Sequence, residues 1–412
     1  MRRCSRCWDP IRARPESGLL ADDVERDATI TSVSTSFEGT TLEIRMSCDY
    51  VQLATPGVRG LQAYQPGKPI EELQREFGLT DVIKLASNEN PLGAGEKARA
   101  AVRASIAQLG RYPDGFGFTL KSVLSELTGM SPDCLTLGNG SNDILDLVVR
   151  GFANDTHEVV FSEHAFAVYA LVTRAVGASA VVVPAKNWGH DLDAMAAAVT
   201  ERTRVIFVAN PNNPTGTWSD ETSLRRFVEQ IPESVLVVID EAYREYVTEL
   251  LYPNCVPWIE KHPNVIVSRS FSKIHGLAGL RVGYAVSNPV VGDIMNRVRH
   301  PFNVNITALA GAAAAVTDTD HIEKSVAVNC EQMRQLENRF SQLGLSFIES
   351  VGNFICVDVG RDAGPVNDAL LRRGIIVRPI AGYGMPNHLR VTVGLETENR
   401  QFLEALEQVL DA

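Results

Sequence analysis

Five short apolar runs, Val159 to Phe161, Ala180 to Val183, Val205 to Ala209, Val235 to Ile239 and Val265 to Val267, recur through the middle of the chain with helix-like stretches between several of them. No other feature constrains the fold as strongly. Each run is continuously apolar, rich in β-branched residues and bounded by turn or polar residues, so both of its faces need cover. Strands separated by helices meet that need in a parallel sheet with helices on either side. Just ahead of them, Glu96 to Leu109 repeats apolar residues at Ala98, Ala101, Val102, Ile106 and Leu109, the spacing of an amphipathic helix.

After Arg299 the pattern changes. Ile306 to Leu343 reads as a long helical region broken near Thr317 to Asp320. Short strands follow at Phe354 to Val359, Ile375 to Val377 and Leu389 to Val393, with helical Pro365 to Arg373 and Glu398 to Leu410. The expected architecture is therefore α/β. A large domain over 95–300 carries a mostly parallel sheet covered by helices, and a smaller α+β domain covers 301–412. Residues 46–94 form an N-terminal arm that joins the small domain. A chain of 412 residues has room for both.

Residues 1–45 differ from the rest, mixing Arg-rich, acidic and Ser/Thr-rich pieces with little periodicity. Two readings stand for them, a disordered tail or a misassigned extension ahead of a true start at Met46. No hydrophobic core follows the arginines at positions 2, 3, 6, 12 and 14, so a secretory signal is not expected. No run approaches the roughly 20 apolar residues of a membrane span. The net charge of -11 argues against a nucleic-acid partner, which wants a basic surface. Seven dispersed cysteines fit reduced thiols in a cytoplasm. Cys4 and Cys7 lack the second half of a zinc site, and no metal is expected.

Three of the expected strands end in informative residues. Val205 to Ala209 runs into Asn210-Pro211-Asn212-Asn213-Pro214-Thr215-Gly216, Val235 to Ile239 ends at Asp240-Glu241-Ala242-Tyr243, and Val265 to Val267 leads to Ser268-Arg269-Ser270-Phe271-Ser272-Lys273. Ligands of doubly wound sheets collect at such carboxyl ends, so an amide, a carboxylate and a lysine converge. That trio suits pyridoxal 5'-phosphate (PLP). The buried Asp240 keeps a pyridine nitrogen protonated, Asn213 and Tyr243 face a ring oxygen, and Lys273 holds the aldehyde as a Schiff base and then moves protons. Gly138-Asn139-Gly140-Ser141-Asn142 precedes the helical run Ile144 to Val149, offering backbone N–H groups and a positive dipole end to a phosphate. Ser270, Ser272 and Arg281 add hydroxyls and a guanidinium. Each piece alone is weak, since a Gly-Asn-Gly-Ser turn is more often a plain helix cap. Their order on successive strands is the signal.

That order, together with Gly279-Leu280-Arg281-Val282-Gly283, resembles fold-type I aminotransferases, and within them histidinol-phosphate aminotransferases. Leu85-Ala86-Ser87-Asn88-Glu89-Asn90-Pro91-Leu92-Gly93, Arg111-Tyr112-Pro113-Asp114-Gly115 and Leu389-Arg390-Val391-Thr392-Val393-Gly394 carry the narrower likeness, which spans about 50–410. The resemblance implies that Phe166 stacks on the pyridine ring and that Tyr112 reaches the cofactor phosphate of a neighbouring subunit, so that a homodimer builds the site. It also implies that Arg390 clamps the substrate carboxylate, and that Tyr64, Asn90 and Arg378 face the substrate. The implied reaction is histidinol phosphate plus 2-oxoglutarate giving imidazole acetol phosphate and glutamate, a step of histidine biosynthesis. The departures are Phe166, where Tyr is commoner, and His164, where many relatives have Pro. Three other readings remain: an aromatic amino-acid aminotransferase, a PLP decarboxylase of a phosphorylated amino acid, and a non-catalytic PLP-fold sensor.

Overall fold

The computed structural model describes residues 32–37, 40–45, 48–63 and 67–411, and it divides into two compact units at Ala54 and Thr55. Cys4, Cys7, Met46 and Tyr64 lie outside the described residues. In the first unit Ser32–Phe37 and Thr40–Arg45 pair antiparallel, Ser32 opposite Arg45. The span falls within the residues 1–45 expected to be either a disordered tail or a misassigned extension. Val33, Thr35, Thr41 and Ile44 are β-branched and favour extended backbone.

The second unit is built around a seven-stranded sheet. Its spatial order is Leu135–Gly138, Gly283–Val286, Val265–Ser270, Leu236–Asp240, Thr203–Ala209, Glu158–Ser162 and Ser179–Val183. All five expected strands are present and mutually parallel. Alternate side chains go to opposite faces. Ile206, Val208, Val237, Ile239, Val265 and Val267 enter one apolar cluster, whereas Val205, Phe207, Val238 and Ile266 enter another. Burial of each such side chain contributes roughly 1.5–3 kcal/mol, which explains why these runs read as unbroken apolar stretches. The departure from a parallel sheet is Gly283–Val286, antiparallel to both its neighbours.

The boundary expected at residue 301 falls one helix early. Helix Ile306–Val316 buries Ala308, Ala312 and Ala315 in the large core with Ala98, Leu120 and Leu124. Small side chains let it lie close against helix Glu96–Ser105, where a Cβ on Gly311 would crowd Val102. Helix Thr319–Gln342 then crosses to the small core through Met333, Leu336 and Phe340. That core lies on an antiparallel sheet ordered Phe347–Ile348, Phe354–Asp358, Met385–Thr392 and Arg378–Ile380. From the arm, Ile83–Lys84 pairs parallel with Ile375–Ile376, and Leu85 enters the small core. Among the described residues no helix is long and apolar enough to cross a membrane.

Candidate active site

Register brings the three loaded strand ends together. Ala209 lies opposite Asp240, and Asp240 opposite Ser268, so Asn213, Asp240 and Lys273 emerge along one sheet edge. They line a cavity of about 230 Å³ with Asn88, Ser141, Asn142, Phe166, Tyr169, Tyr243, Ser270, Ser272, Arg281 and Arg390.

At one end of the cavity sits the carboxylate. Asp240 Oδ2 accepts the Tyr169 hydroxyl at 2.9 Å, while the buried Oδ1 has no partner within the protein. Burial pushes this carboxyl up to about 6, against the opposing pull of the Tyr169 hydrogen bond. An unpaired buried carboxylate oxygen is costly, and a cationic ring N–H is the donor that would satisfy it. Tyr169 stacks on Phe207 at 4.5 Å and meets the edge of Phe166 at 6.0 Å. The sequence reading did not single out Tyr169. Its signal was its place three residues after Phe166, on the same face of the following helix Ala167–Ala175.

Lys273 is half-buried, and its Nζ donates to the Ser87 carbonyl at 3.0 Å and lies 5.4 Å from the Tyr243 ring centre. Loss of water, then the nearby charge of Arg390, lowers its amine to about 7. Tyr243 is pushed up to about 12 by burial, so its hydroxyl stays protonated. That oxygen accepts from Asn88 Nδ2 at 3.0 Å, and its own proton remains for a ligand. Asn213 Oδ1 accepts from Arg390 at 2.5 Å, which leaves the Asn213 amide nitrogen as the end to offer a ring oxygen.

A cradle suited to an anion follows from the antiparallel strand. Gly283 is opposite Gly138 on one side and Ser270 on the other, so Arg281, two residues earlier, is held between the Gly-Asn-Gly turn and the serines. Its guanidinium donates to Ser272 Oγ at 3.2 Å. Gly140 has φ +82°, and a Cβ there would collide with the Arg281 guanidinium. Helix Ser141–Phe152 starts at this point with no side chain capping it, and the Asp143 N–H turns back to the Gly140 carbonyl while no hydrogen bond among the described residues takes up those of Ser141 and Asn142. Bare N–H groups, two hydroxyls and a guanidinium suit a dianion. The orphaned Asp240 oxygen and the Lys273 amine suit the rest of PLP.

Other expected residues lie elsewhere. Asn90 is buried away from the cavity, its amide donating to the Ile274 carbonyl at 2.7 Å and Ser325 Oγ at 2.9 Å and accepting from the Leu92 N–H. It ties the Lys273 segment to helix Thr319–Gln342, and Asn88 holds the cavity position instead. Arg378 lines a second cavity of about 710 Å³, which shares Phe166 with the first. Tyr112 is 81% exposed, stacks on Phe302 at 4.8 Å and lines neither of these two cavities.

Fold and site together define a PLP-type aminotransferase, and the family described as Aminotransferase class I and II matches residues 80–406. Histidinol-phosphate aminotransferase 2 of Pseudomonas fluorescens is 58% identical over 89% of this chain and 99% of its own, and its Pseudomonas aeruginosa counterpart is 57% identical over 88% and 99%. The crystal structure of a histidinol-phosphate aminotransferase from Sinorhizobium meliloti in complex with pyridoxal-5'-phosphate superposes with a TM-score of 0.79 at 28% identity, covering 87% of this chain and 97% of that one. The chain belongs to the histidinol-phosphate aminotransferase family.

Proposed function

We propose that the chain transfers the amino group of histidinol phosphate to 2-oxoglutarate, as a cytoplasmic PLP-dependent homodimer. The observation that carries the substrate assignment is the shared wall at Phe166. The cofactor-sized cavity opens beside a larger one that presents Arg378. A donor with an amine at one end and a phosphate at the other fits that pair of spaces, with the phosphate against a guanidinium.

PLP supplies an electron sink for the carbanion character that develops at the substrate Cα. Asp240 holds the ring nitrogen's proton. Asn213 and Tyr243 donate to the ring oxygen, while Ser141, Ser270, Ser272 and Arg281 hold the phosphate. Lys273 carries the proton to and from Cα, a task matched by an amine near neutrality. Arg390 has an unpaired, buried Nε and lies in the same cavity, which supports its role as the clamp for the carboxylate of the oxo acid. Leu109, Tyr112, Phe116 and Phe118 are exposed together, an apolar patch that supports subunit pairing.

The test compares kcat/KM for histidinol phosphate, phenylalanine, tyrosine and aspartate, with 2-oxoglutarate as acceptor. Histidinol phosphate should lead. Arg378→Ala should cost it about 100-fold, the scale of a lost charge-assisted contact, and cost the other donors little. Equal losses for all four donors would remove the distal phosphate from the reading.

A further inference from the structure

Arg390 and Lys273 come from different domains, so the distance between them depends on how the small-domain strand Met385–Thr392 is held against the large domain. We infer that Trp188 is a positioning residue for Arg390: its indole, 41% exposed to solvent but resting against both His164 and His388, fixes the strand that presents the guanidinium to the substrate carboxylate. The inference rests on the reading of Arg390 as that clamp.

Trp188 sits at the tip of a tight turn closed by paired backbone hydrogen bonds between Lys186 and Gly189 at 3.0 and 2.9 Å. Both central residues have positive φ, +50° at Asn187 and +64° at Trp188. Asn tolerates that backbone; a bulky aromatic does so only under strain, and glycine is the residue such a turn prefers. Strain of this kind persists where the surroundings over-determine it. The surroundings here are two rings. Trp188 lies 5.4 Å from His164 of the large domain and 5.2 Å from His388 of the small one.

His388 is two residues from Arg390 on the same strand, hence on the same face. His164 Nδ1 makes a 2.7 Å hydrogen bond with the carbonyl of Tyr383, just ahead of that strand. The strand is therefore gripped at its start and beside His388. The turn is tied to the cofactor side by a second route. Thr217 Oγ1 donates to the Trp188 carbonyl at 3.3 Å and lies 2.9 Å from Thr215 Oγ1. Asn212 Nδ2 reaches both Thr215 Oγ1 and the His164 carbonyl, at 2.8 and 2.7 Å. Asn213, next in sequence, accepts from Arg390 itself. Trp188 lines neither cavity, so it acts through its neighbours rather than on the reacting groups.

The test uses PLP-loaded enzyme and calorimetric titration with maleate, an unreactive dicarboxylate. Trp188→Gly suits the turn backbone and should keep both the cofactor absorbance band and the thermal midpoint. It should nevertheless weaken maleate binding about tenfold, the scale set by small displacements of a positioned group, and raise KM for donor and oxo acid together with a smaller effect on kcat. His388→Ala should act likewise, and Trp188→Phe, which keeps a ring, should restore affinity to near native. Native maleate affinity in either Trp188→Gly or His388→Ala, alongside loss in Arg390→Ala, overturns the inference alone. Native affinity in Arg390→Ala overturns the carboxylate reading as well.

Discussion

The most consequential single group is the amine of Lys273. Burial and the charges of Arg390 and Arg281 bring it down to about 7, so it loses its proton as pH rises through neutrality. Only the neutral amine attacks an aldehyde. The rate at which cofactor-free enzyme takes up PLP should therefore rise with pH around a midpoint of about 7. A midpoint near that of an ordinary lysine would show that the site does not perturb the amine. Asp240 shows the same environment acting in the opposite sense, its acid strengthened by the Tyr169 hydroxyl but weakened more by burial. Both polar positions were legible from their place at strand ends. Tyr169 and Asn88 were not, because hydrogen bonds to Asp240 and Tyr243 join residues 71 and 155 apart in the chain.

At the scale of elements, the proposed phosphate site depends on a turn, a helix start and a four-residue strand meeting at one point. Gly140 is the tightest part of it, with positive φ and the Arg281 guanidinium where a Cβ would stand. Gly140→Ala should weaken PLP binding roughly tenfold and destabilise the fold by about 1–2 kcal/mol. An absorbance titration and a thermal melt would measure the two effects, and an unchanged PLP affinity would argue against the cradle. The turn and the helix were both visible in the sequence. Strand Gly283–Val286 was not, since four residues carry too little periodicity and its antiparallel direction is imposed by its neighbours. Helix Ile306–Val316 was found but assigned to the wrong core. Its Ala-rich composition identifies a helix without saying which surface it meets.

For the whole molecule, the proposed sharing of sites between subunits gives a complementation test. Lys273→Ala and Tyr112→Ala enzymes should each be nearly inactive. A hybrid dimer would combine one doubly defective site with one intact site, so random mixing of the two variants should recover about a quarter of native activity. No recovery from mixed, co-refolded subunits would place Tyr112 outside its partner's site. The same exposed patch around Tyr112 and Phe116 that supports pairing is a liability for a lone chain.

Residue patterns along the chain were enough to set the layered α/β design and to single out the residues proposed to handle a pyridine ring, an amine and a phosphate. Continuous apolar runs need cover on both faces, which the helix-like stretches between them supply, and chemistry that requires a carboxylate, an amide and a lysine leaves those residue types at the strand ends. Tertiary structure alone decided which asparagine of the Asn88-Glu89-Asn90 turn enters the cavity, where the large core ends, and that Trp188 spans from His164 to His388. Those outcomes depend on contacts between segments far apart in the chain, and local residue patterns do not encode the geometry of such contacts.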